Sequence, residues 1–512
     1  MAEKRVLGYI ALGTLVSSLL LIVVIVIPVS YQSRDALIAI GFLGVVLLTT
    51  AFLRYSQTGG DCLDPLFLIS LVFFFYFVLH GVWVVFNEQL LSASIPFPYS
   101  SHLAGAAVLV AVAFLSLIAG YFLIPSRKHR DGAPTILASV DRAPHGLLIA
   151  LFVFGLLCNG AAAAAGGYSK TNVNVYNAGG NVLVFRTLGY AAYVAYVVAI
   201  CQAYLYPPGR DRTRARRLAF GVMLPAQIAI AFAVGAKQEV VFTILPLLVA
   251  HNYLSGRIRA RSLLATGLIF VFVVTPVIQA SRVGPGNVSN NQFATGLGGI
   301  ADTLTSVPKQ LSVLTRPVDL LDGYNVIQRR TNGLESVALA LRYTPNPNPY
   351  QHGRALAAVP LSLIPRFVWP NKPLYSPGKD FSVSYGGESE GRGYGLTIAP
   401  TYPGDLYINF GLVGVIVGSL LFGLGLRATA NLLGTRRRGR SLPLVVYLIV
   451  IVPAMLVEQD IAAGINAVML RLLVSGAFVY GLAVVTRRQS AGELSGAYQQ
   501  SQPEQGAPAA AR

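Results

Sequence analysis

Side chains of the kinds that act on phosphates and sugars are concentrated in and just after one stretch, residues 281–403. They are the cations Arg282, Arg329, Arg330, Arg342, Arg354, Arg366, Lys372 and Arg392, the candidate bases His352, Asp380, Glu388, Glu390 and Asp405, and the aromatic residues Tyr343, Tyr350, Trp369, Tyr375, Tyr385 and Tyr394. Arg and Lys can stabilise the charge that develops on a pyrophosphate leaving group. A carboxylate or a His can take the proton from an attacking hydroxyl. These residue types suit the transfer of a sugar from a lipid-linked pyrophosphate to a hydroxyl acceptor.

The composition indicates the class of protein that carries this stretch. Of the 512 residues, 54% are hydrophobic and only 12% are charged, against about 25% charged residues in a typical soluble protein. Mean hydropathy is +0.60. These values exclude a soluble globular enzyme and a disordered chain, and they predict an all-α polytopic integral membrane protein.

Twelve apolar runs are long enough to cross a bilayer as helices, since about 20 residues are needed. They are 6–29, 36–53, 64–86, 102–125, 144–166, 182–206, 217–235, 238–254, 262–280, 404–427, 441–457 and 464–485. The first run has no Ala-x-Ala cleavage pattern, so we expect a retained helix. The predicted organisation is transmembrane helices 1–9 in 1–280, a large loop domain in 281–403, helices 10–12 in 404–488 and a disordered cytoplasmic tail in 489–512. No convincing internal repeat is visible.

Basic residues cluster in alternate loops and so predict the orientation. One set of loops carries Arg127, Lys128, Arg130, Arg142, Arg210, Arg212, Arg214, Arg216, Arg217, Arg257, Arg259, Arg261, Arg436, Arg437, Arg438 and Arg440. The loop 87–101 on the other side carries no Lys or Arg. This pattern predicts that both termini are cytoplasmic and that 281–403 lies outside. Most of the net charge of +18 is therefore a topology signal plus attraction to anionic membrane lipid, and no binding to nucleic acid is expected.

The stretch 281–403 is too large for a connector, and long loops of this kind usually carry function. It holds eleven Lys/Arg against seven Asp/Glu, a net charge of +4. That charge does not conflict with an outside location, because long loops translocate largely regardless of charge. We expect short helices in 296–342 and an irregular, Pro/Gly-rich portion in 343–403.

The three cysteines, Cys62, Cys158 and Cys201, all lie in or beside apolar runs. The sequence therefore predicts neither a disulfide framework nor a Cys zinc site. We also find no metal-ligand cluster in the outside loop, and no cofactor is expected.

The segment 353–373 near the end of the large loop has a more specific pattern. Its apolar part is too short to span a bilayer, and it predicts an interfacial helix that ends at Pro365. Arg366, Trp369 and Lys372 would then lie at the membrane boundary, where Arg366 either binds pyrophosphate or anchors to headgroups.

A second patterned segment, 397–411, leads straight into the tenth predicted span. It places Asp405 and Asn409 at the outer end of that span. Asp405 is then either a carboxylate stabilised by the helix dipole or a base for the acceptor hydroxyl.

These two segments resemble the Wzy-type O-antigen polysaccharide polymerases of bacteria, which polymerise oligosaccharide repeat units. That family typically shows Ile-Pro-Arg-x-x-Trp-Pro-x-Lys-Pro late in a large outside loop, and residues 364–373 match this pattern. The family then shows an acidic residue, an aromatic residue and Asn-Phe-Gly entering a helix, which are here Asp405, Tyr407 and 409–411. The acidic residue is often Glu in the family, so Asp405 is a shorter variant. A family Gly-x-Arg turn corresponds to Gly-Ala-Lys at 235–237, where Lys keeps the charge but lacks the bidentate fork.

The resemblance implies a metal-independent glycosyltransferase of the GT-C-like polymerase and ligase class in the bacterial cytoplasmic membrane. The growing glycan leaves its undecaprenyl pyrophosphate carrier and joins a new lipid-linked repeat unit. The product would be a surface polysaccharide such as O-antigen, capsule or exopolysaccharide. The implied partners are undecaprenyl-pyrophosphate-linked oligosaccharide and membrane lipid, and they include flippase and chain-length regulator proteins.

The expected site combines donor and acceptor residues. Arg366, Arg282, Lys237 and Lys372 are the candidates for the donor pyrophosphate. The acceptor-side candidates are Asp405, Glu388 and His352, and Arg342, Trp369 and Asn409 are further substrate-binding candidates.

Three other functions stay open on the sequence alone. A ligase would use the same donor chemistry with another acceptor. A transporter or flippase of lipid-linked glycans would share the twelve-span layout. Two observations argue against it: no repeat halves are visible, and charged residues within the spans are scarce. A non-catalytic assembly subunit would present the loop to partners.

Two further ionisable residues have alternative interpretations. Arg471, within the last span, is either functional or paired with Glu458 or Asp460. Glu239 is expected to pair with a neighbouring cation.

Overall fold

The computed structural model describes residues 31–87, 100–125, 139–164, 181–234, 237–258, 260–269, 333–362, 364, 369, 377–386, 399–433, 441–455, 457 and 459–500. This part of the chain is almost entirely helical, and it contains no β-strand. The prediction of an all-α protein is confirmed at this level.

The helices are listed here in chain order. They are α1 (Tyr31–Gln57), α2 (Pro65–Phe73), α3 (His80–Asn87), α4 (Ser100–Leu123), α5 (His145–Ala164), α6 (Asn181–Leu188), α7 (Tyr190–Leu205), α8 (Arg210–Arg216), α9 (Leu224–Val234), α10 (Lys237–Ala250), α11 (Ala260–Ile269), α12 (Gly333–Tyr343), α13 (Arg354–Ser362), α14 (Pro377–Gly386), α15 (Tyr402–Leu433), α16 (Ser441–Ala454) and α17 (Ile461–Gln500). Short π-helical segments join α2 to α3 (Phe74–Leu79), join α8 to α9 (Arg217–Met223) and extend α10 (His251–Ser255).

Seven helices in the described ranges are long and apolar enough to cross a membrane. They are Arg34–Gln57, Pro65–Phe86, His102–Leu123, His145–Ala162, Val184–Leu205, Tyr402–Asn431 and Ile461–Gln489. Each of them coincides with a predicted span, and a shorter apolar helix, Glu239–Ser255, coincides with the predicted span 238–254. The predicted span 6–29 lies outside the described residues. The chain is thus a multi-pass membrane protein, and the total of twelve spans stays a prediction.

Two segments differ from the sequence prediction. Helix α17 continues to Gln500, so that 489–500, predicted as the start of a disordered tail, is helical. The portion 343–403, predicted as irregular, contains the helices α13 and α14. In α14 a proline is compatible with the helix because Pro377 stands at the first helical position, where its missing N–H group needs no partner.

Helices α4 and α15 pack backbone to backbone. A Cβ on Gly120 would lie 2.0 Å from the carbonyl oxygen of Leu420, and a Cβ on Gly423 would lie 2.0 Å from that of Leu117. Only glycine fits at these two positions, as in other membrane helices that approach closely through small residues. Helix α12 contacts both members of this pair.

Helix α12 of the large loop is inserted between the spans. Residues Gly333–Ala340 are all buried, and a Cβ on Gly333 would lie 2.0 Å from the carbonyl oxygen of Tyr76 in the π-helical segment. Oε2 of the buried Glu335 lies within hydrogen-bonding distance of Nε2 of the buried His80 in α3, at 3.2 Å. The large loop is therefore built into the helix bundle.

One end of the bundle is fixed by a clamp of four side chains: Arg54, Asp64, Tyr121 and Arg427. Arg54 donates two hydrogen bonds to the Asp64 carboxylate, at 2.9 and 2.8 Å, and one to the Tyr121 hydroxyl at 3.1 Å. Arg427 lies 5.0 Å from the centre of the Tyr121 ring. Asp64 also caps α2 by accepting from two backbone N–H groups. The clamp joins α1, α2, α4 and α15.

Other contacts between segments that connect helices also lie at the end of the bundle that carries the clamp. Asn252 donates to the Asp61 carboxylate at 2.9 Å, and burial raises the pKa of this carboxyl. The ring of Tyr204 lies 5.9 Å from that of His251, and Gln202 donates to the carbonyl of Ala143 at 2.8 Å. The described segments next to the Arg-rich loops thus all lie at the same end of the bundle. The predicted topology requires this arrangement. The side of the membrane on which this end lies stays a prediction.

We predict that Asp64→Asn lowers the free energy of unfolding by roughly 3 kcal/mol, because it leaves the Arg54 guanidinium without its buried counter-ion. Asn keeps the side-chain oxygen that caps α2, so the loss reports on the ion pair. The measurement is chemical or thermal unfolding of the purified protein in detergent. The control is Asp211→Asn, at an exposed carboxylate of α8, which should change stability by less than about 0.5 kcal/mol. Equal effects of the two substitutions would contradict the assignment of the clamp.

Candidate functional site

Helix α15 is broken near its start at Gly411, which has φ 64° and ψ −156°. A break frees carbonyl groups in the preceding turn to accept other hydrogen bonds. The carbonyl of Asn409 accepts from the backbone N–H of His352 at 2.9 Å, and the preceding carbonyl accepts from that of Gln351 at 3.0 Å. The broken helix therefore provides a docking place for this part of the large loop.

Asp405 and Asn409 lie one helical turn apart and are both buried. Asn409 Nδ2 donates to Asp405 Oδ1 at 2.9 Å, and Asn409 Oδ1 accepts from the backbone N–H of Gly353 at 3.1 Å. Asp405 Oδ2 accepts from the N–H of Ile461, the first residue of α17, at 2.8 Å. We call these two side chains the hub, because they join the loop segment 351–353, α15 and α17.

The hub explains why an Asp stands at position 405. A carboxylate at the N-terminus of α17 satisfies an N–H group that has no partner within the helix and interacts favourably with the helix dipole. Both Asp405 oxygens accept hydrogen bonds and the side chain is 4% exposed. In this conformation it is out of reach of an acceptor hydroxyl. The geometry gives Asp405 a positioning role, and its role as a general base stays a prediction.

His352 is the predicted acceptor-side residue that the structure presents at the surface. It is exposed, and its φ of 48° lies in the left-handed region, followed by Gly353 with φ 80°. Hydrogen bonds from both backbone N–H groups to Asn409 hold this turn in place. The imidazole is thus displayed from a fixed backbone beside the hub.

The structure locates only part of the predicted site. Arg342 is exposed near the end of α12, Trp369 is partly buried, and Lys237 begins α10. The remaining predicted residues lie outside the described residues: Arg282, Arg366, Lys372 and Glu388. The hub residues and His352 are the predicted residues that the described structure brings together.

A large apolar groove lies between α15, α16 and α17, with a volume of about 860 Å³. Its lining includes Leu356 of α13, Leu406, Phe410, Val413, Val417, Leu421 and Phe422 of α15, and Ile465, Val468, Met469 and Leu472 of α17. Several of these side chains are exposed, Val413 by 70%, so the groove opens sideways from the bundle. The spans that form it would place this opening in the bilayer.

The hub lies at one end of the groove. Gln459 and Asp460 line this end and immediately precede α17, whose first N–H group bonds to Asp405. Asp460 Oδ1 accepts from the N–H of Ala463 at 2.7 Å and so also caps α17. Burial raises the pKa of the Asp460 carboxyl. The groove thus runs from a polar, hydrogen-bonded end into the apolar part of the bundle.

Arg471 lies within α17, and its described contacts are with α7 and α10 rather than with Asp460. Its Nε donates to the Tyr190 hydroxyl at 2.8 Å, and its guanidinium carbon lies 4.5 Å from the centre of the Phe242 ring. Asp460 caps α17 instead, and Glu458 lies outside the described residues. The interpretation as an ion pair with Asp460 is therefore wrong.

The contact between His80 and Glu335 was not predicted from the sequence. His80 lies within an apolar run, and Glu335 begins a short segment of small and apolar residues. An ionisable residue within an apolar run is a signal for a buried partner. The partner, Glu335, is 255 residues away along the chain, and the insertion of α12 into the bundle brings the two residues together.

No group of three or more His, Cys, Asp or Glu side chains that could hold a metal ion occurs within the described ranges. Comparison of the chain with protein-family models, with curated proteins and with solved structures finds no match. Function is therefore inferred from the geometry of the groove and the hub.

We predict that Asp405→Asn loosens the loop segment 351–353. The Asn side chain has only one oxygen, so it can replace the carboxylate as the acceptor for Ile461 or for Asn409 but not for both. Keeping a hydrogen bond to both residues would require the Asn409 amide to flip, which breaks the hydrogen bond that Asn409 accepts from Gly353. One unsatisfied buried group costs about 1–3 kcal/mol. Tryptic cleavage after Arg354, an exposed residue next to this segment, should therefore become about tenfold faster or more, since 1.4 kcal/mol corresponds to a factor of ten.

The matched control for this experiment is Asp380→Asn, at an exposed carboxylate of α14. It should leave the cleavage rate at Arg354 unchanged. Unchanged cleavage in Asp405→Asn as well would contradict the role of the hub in holding the loop.

Proposed function

We propose that this protein is a membrane glycosyltransferase that polymerises polyprenyl-pyrophosphate-linked oligosaccharide repeat units into a surface polysaccharide. The observation that carries the proposal is the apolar groove, which opens sideways and ends at the hub and the docked loop. A lipid-linked donor needs this combination: an apolar path for its tail and a polar loop at its headgroup.

The groove suits an isoprenoid tail. Its lining is almost wholly aliphatic and aromatic, and a tail can enter it laterally without leaving the bilayer. Leu356 of the loop helix α13 also lines it. A tail in the groove therefore places the attached pyrophosphate beside the large loop, near Gln459 and Asp460.

The donor pyrophosphate requires cations at the same end. Arg366 and Lys372 belong to the motif that resembles the polymerase family, and they follow α13 closely in the chain. Arg282 and Lys237 are the further candidates. Positioned cations stabilise the charge that develops on the departing pyrophosphate, so the donor brings its own activation and no nucleotide is consumed.

The transfer step needs an acceptor hydroxyl and a base. The hydroxyl oxygen of the acceptor repeat unit forms a bond to the anomeric carbon of the donor glycan, and the bond from that carbon to the pyrophosphate breaks. A base takes the hydroxyl proton. His352 is exposed beside the hub and is one candidate for this role, and Glu388 is another.

The experiment that tests the proposal is elongation in vitro. The purified full-length protein in lipid is given the host's polyprenyl-pyrophosphate repeat unit, without metal or nucleotide sugar, and the products are separated by size. We predict a ladder of polymers from the wild-type protein and its loss in Arg366→Ala. Movement of the lipid-linked glycan across the bilayer without a ladder would instead support a transporter.

We predict that Gly464→Leu, in the wall of the groove, raises the KM for the lipid donor about tenfold or more, a loss of roughly 1.4 kcal/mol. A Cβ at Gly464 meets no atom within 4 Å, so the new side chain fills the groove without a clash. Gly481→Leu is the matched control on the same helix, because its Cβ also meets nothing within 4 Å and it lies outside the groove lining. Equal donor KM values for the two variants would exclude the groove as the tail site.

A further inference from the structure

Three aromatic rings surround the break in α15, at the place where the large loop docks. The rings of Tyr350, in the loop, and Tyr407, in α15, lie 6.1 Å apart between their centroids, at an angle of 74°. Phe410 follows Tyr407 by three residues and is therefore its neighbour on the surface of the helix. All three rings are partly exposed, Phe410 by 42%. We call Tyr350 and Tyr407 the aromatic pair.

Two glycines in the left-handed region allow the backbone to lie directly against these rings. A Cβ on Gly411 would lie 3.3 Å from Cζ of Tyr350, and a Cβ on Gly353 would lie 2.7 Å from Cζ of Phe410. Gly411 has φ 64° and Gly353 has φ 80°, a region that side chains disfavour. The loop and the broken helix thus hold the rings in place before any ligand binds, which lowers the entropic cost of binding.

The break in α15 also marks a level in the membrane. Gly411 precedes Asn431, the last residue of this span, by 20 residues. A helix of that length covers about 30 Å, which matches the thickness of the hydrocarbon core. The part of α15 before Gly411, which carries Tyr407, then lies at the headgroup level together with the docked loop.

The neighbours of the aromatic pair in the loop are polar and exposed. Gln351 and His352 directly follow Tyr350, and their backbone N–H groups are held by carbonyls of α15. Tyrosines alone at this level would suit the aromatic belt of a membrane protein. A sugar has apolar C–H faces and a rim of hydroxyl groups, so it suits aromatic rings that are bordered by an amide and an imidazole.

The aromatic pair lies at the same end of α15 as the polar end of the groove. Phe410, beside Tyr407, lines the groove itself. Two residues before Tyr407, Asp405 accepts from the N–H of Ile461, and Ile461 directly follows Asp460 in the groove lining. One turn of α15 therefore carries both a ring of the aromatic pair and the contact with the groove end where the proposed donor pyrophosphate lies.

We infer that the aromatic pair binds a sugar ring of the acceptor repeat unit. The sugar stacks on Tyr350 and Tyr407, and its hydroxyl groups face Gln351 and His352. This inference rests on the proposed function and specifies where its acceptor binds. A sugar stacked here has its hydroxyl groups beside His352, one of the candidate bases, and next to the end of the groove. The aromatic pair would thus select acceptors that present an apolar sugar face.

The test is the binding of the repeat-unit oligosaccharide without lipid or pyrophosphate, so that the groove contributes nothing to the affinity. The full-length protein in lipid nanodiscs is titrated with this oligosaccharide, and the Kd is measured by ligand-observed NMR. We expect Tyr350→Leu and Tyr407→Leu each to raise the Kd about tenfold or more, because leucine keeps apolar bulk but has no aromatic face. Tyr350→Phe keeps the ring and should stay within about threefold of the wild-type Kd.

The matched control is Tyr480→Leu, at an exposed tyrosine of α17 far from its start at Ile461, which should keep the wild-type Kd. Tryptic cleavage after Arg354 reports whether the loop stays docked, and it should be unchanged in the leucine variants. A wild-type protein that does not bind the oligosaccharide, an unchanged Kd in both leucine variants, or an equal loss in Tyr480→Leu overturns the inference. A loss of binding that comes with faster cleavage after Arg354 also overturns it, because displacement of the loop then explains the loss. These outcomes leave the polymerase proposal standing, whereas a wild-type protein that forms no ladder overturns that proposal itself.

Discussion

The chain of hydrogen bonds from Gly353 through Asn409 and Asp405 to Ile461 is the interaction on which the arrangement of the candidate site depends. Each donor in it points toward the Asp405 carboxylate, which ends the chain because it can only accept when it is ionised. A loop, a broken helix and the start of another helix are thereby fixed by two side chains. Substitutions at either hub residue would act on all three segments at once.

The hub matters because α17 forms one wall of the groove. The start of α17 is set by Asp405 and Asp460, and about three turns further on its side chains face the groove on one side and Tyr190 on the other. A carboxylate used for positioning can therefore influence binding without contacting a ligand.

The sequence was informative where a pattern is local. Apolar runs predicted the seven helices that are long enough to span, and the spacing of Asp405 and Asn409 placed them one turn apart at the start of α15. The sequence was much less informative where the structure depends on segments far apart in the chain. The groove is formed by three helices. The contact of His80 with Glu335 joins residues 255 positions apart. The hydrogen bond from the backbone N–H of Ile461 occupies an oxygen of the Asp405 carboxylate. The helix through 489–500 was also missed, because its composition resembles that of a disordered tail.

The insertion of α12 links the large loop to the third predicted span, 64–86, through contacts that neither segment could form alone. Small residues allow α12 to enter the bundle, but Glu335 would be a buried charge without a partner unless His80 faced it. The π-helical segment before His80 brings the Tyr76 carbonyl against Gly333, where no side chain fits. The loop and the span therefore require each other. Because α12 also packs on α4 and α15, the described part of the large loop has one anchor inside the bundle at 333–340, and its docking on the hub at 351–353 is a second anchor. Two anchors about twenty residues apart hold this part of the loop over the end of the groove, which a loop lying on the membrane surface could not achieve.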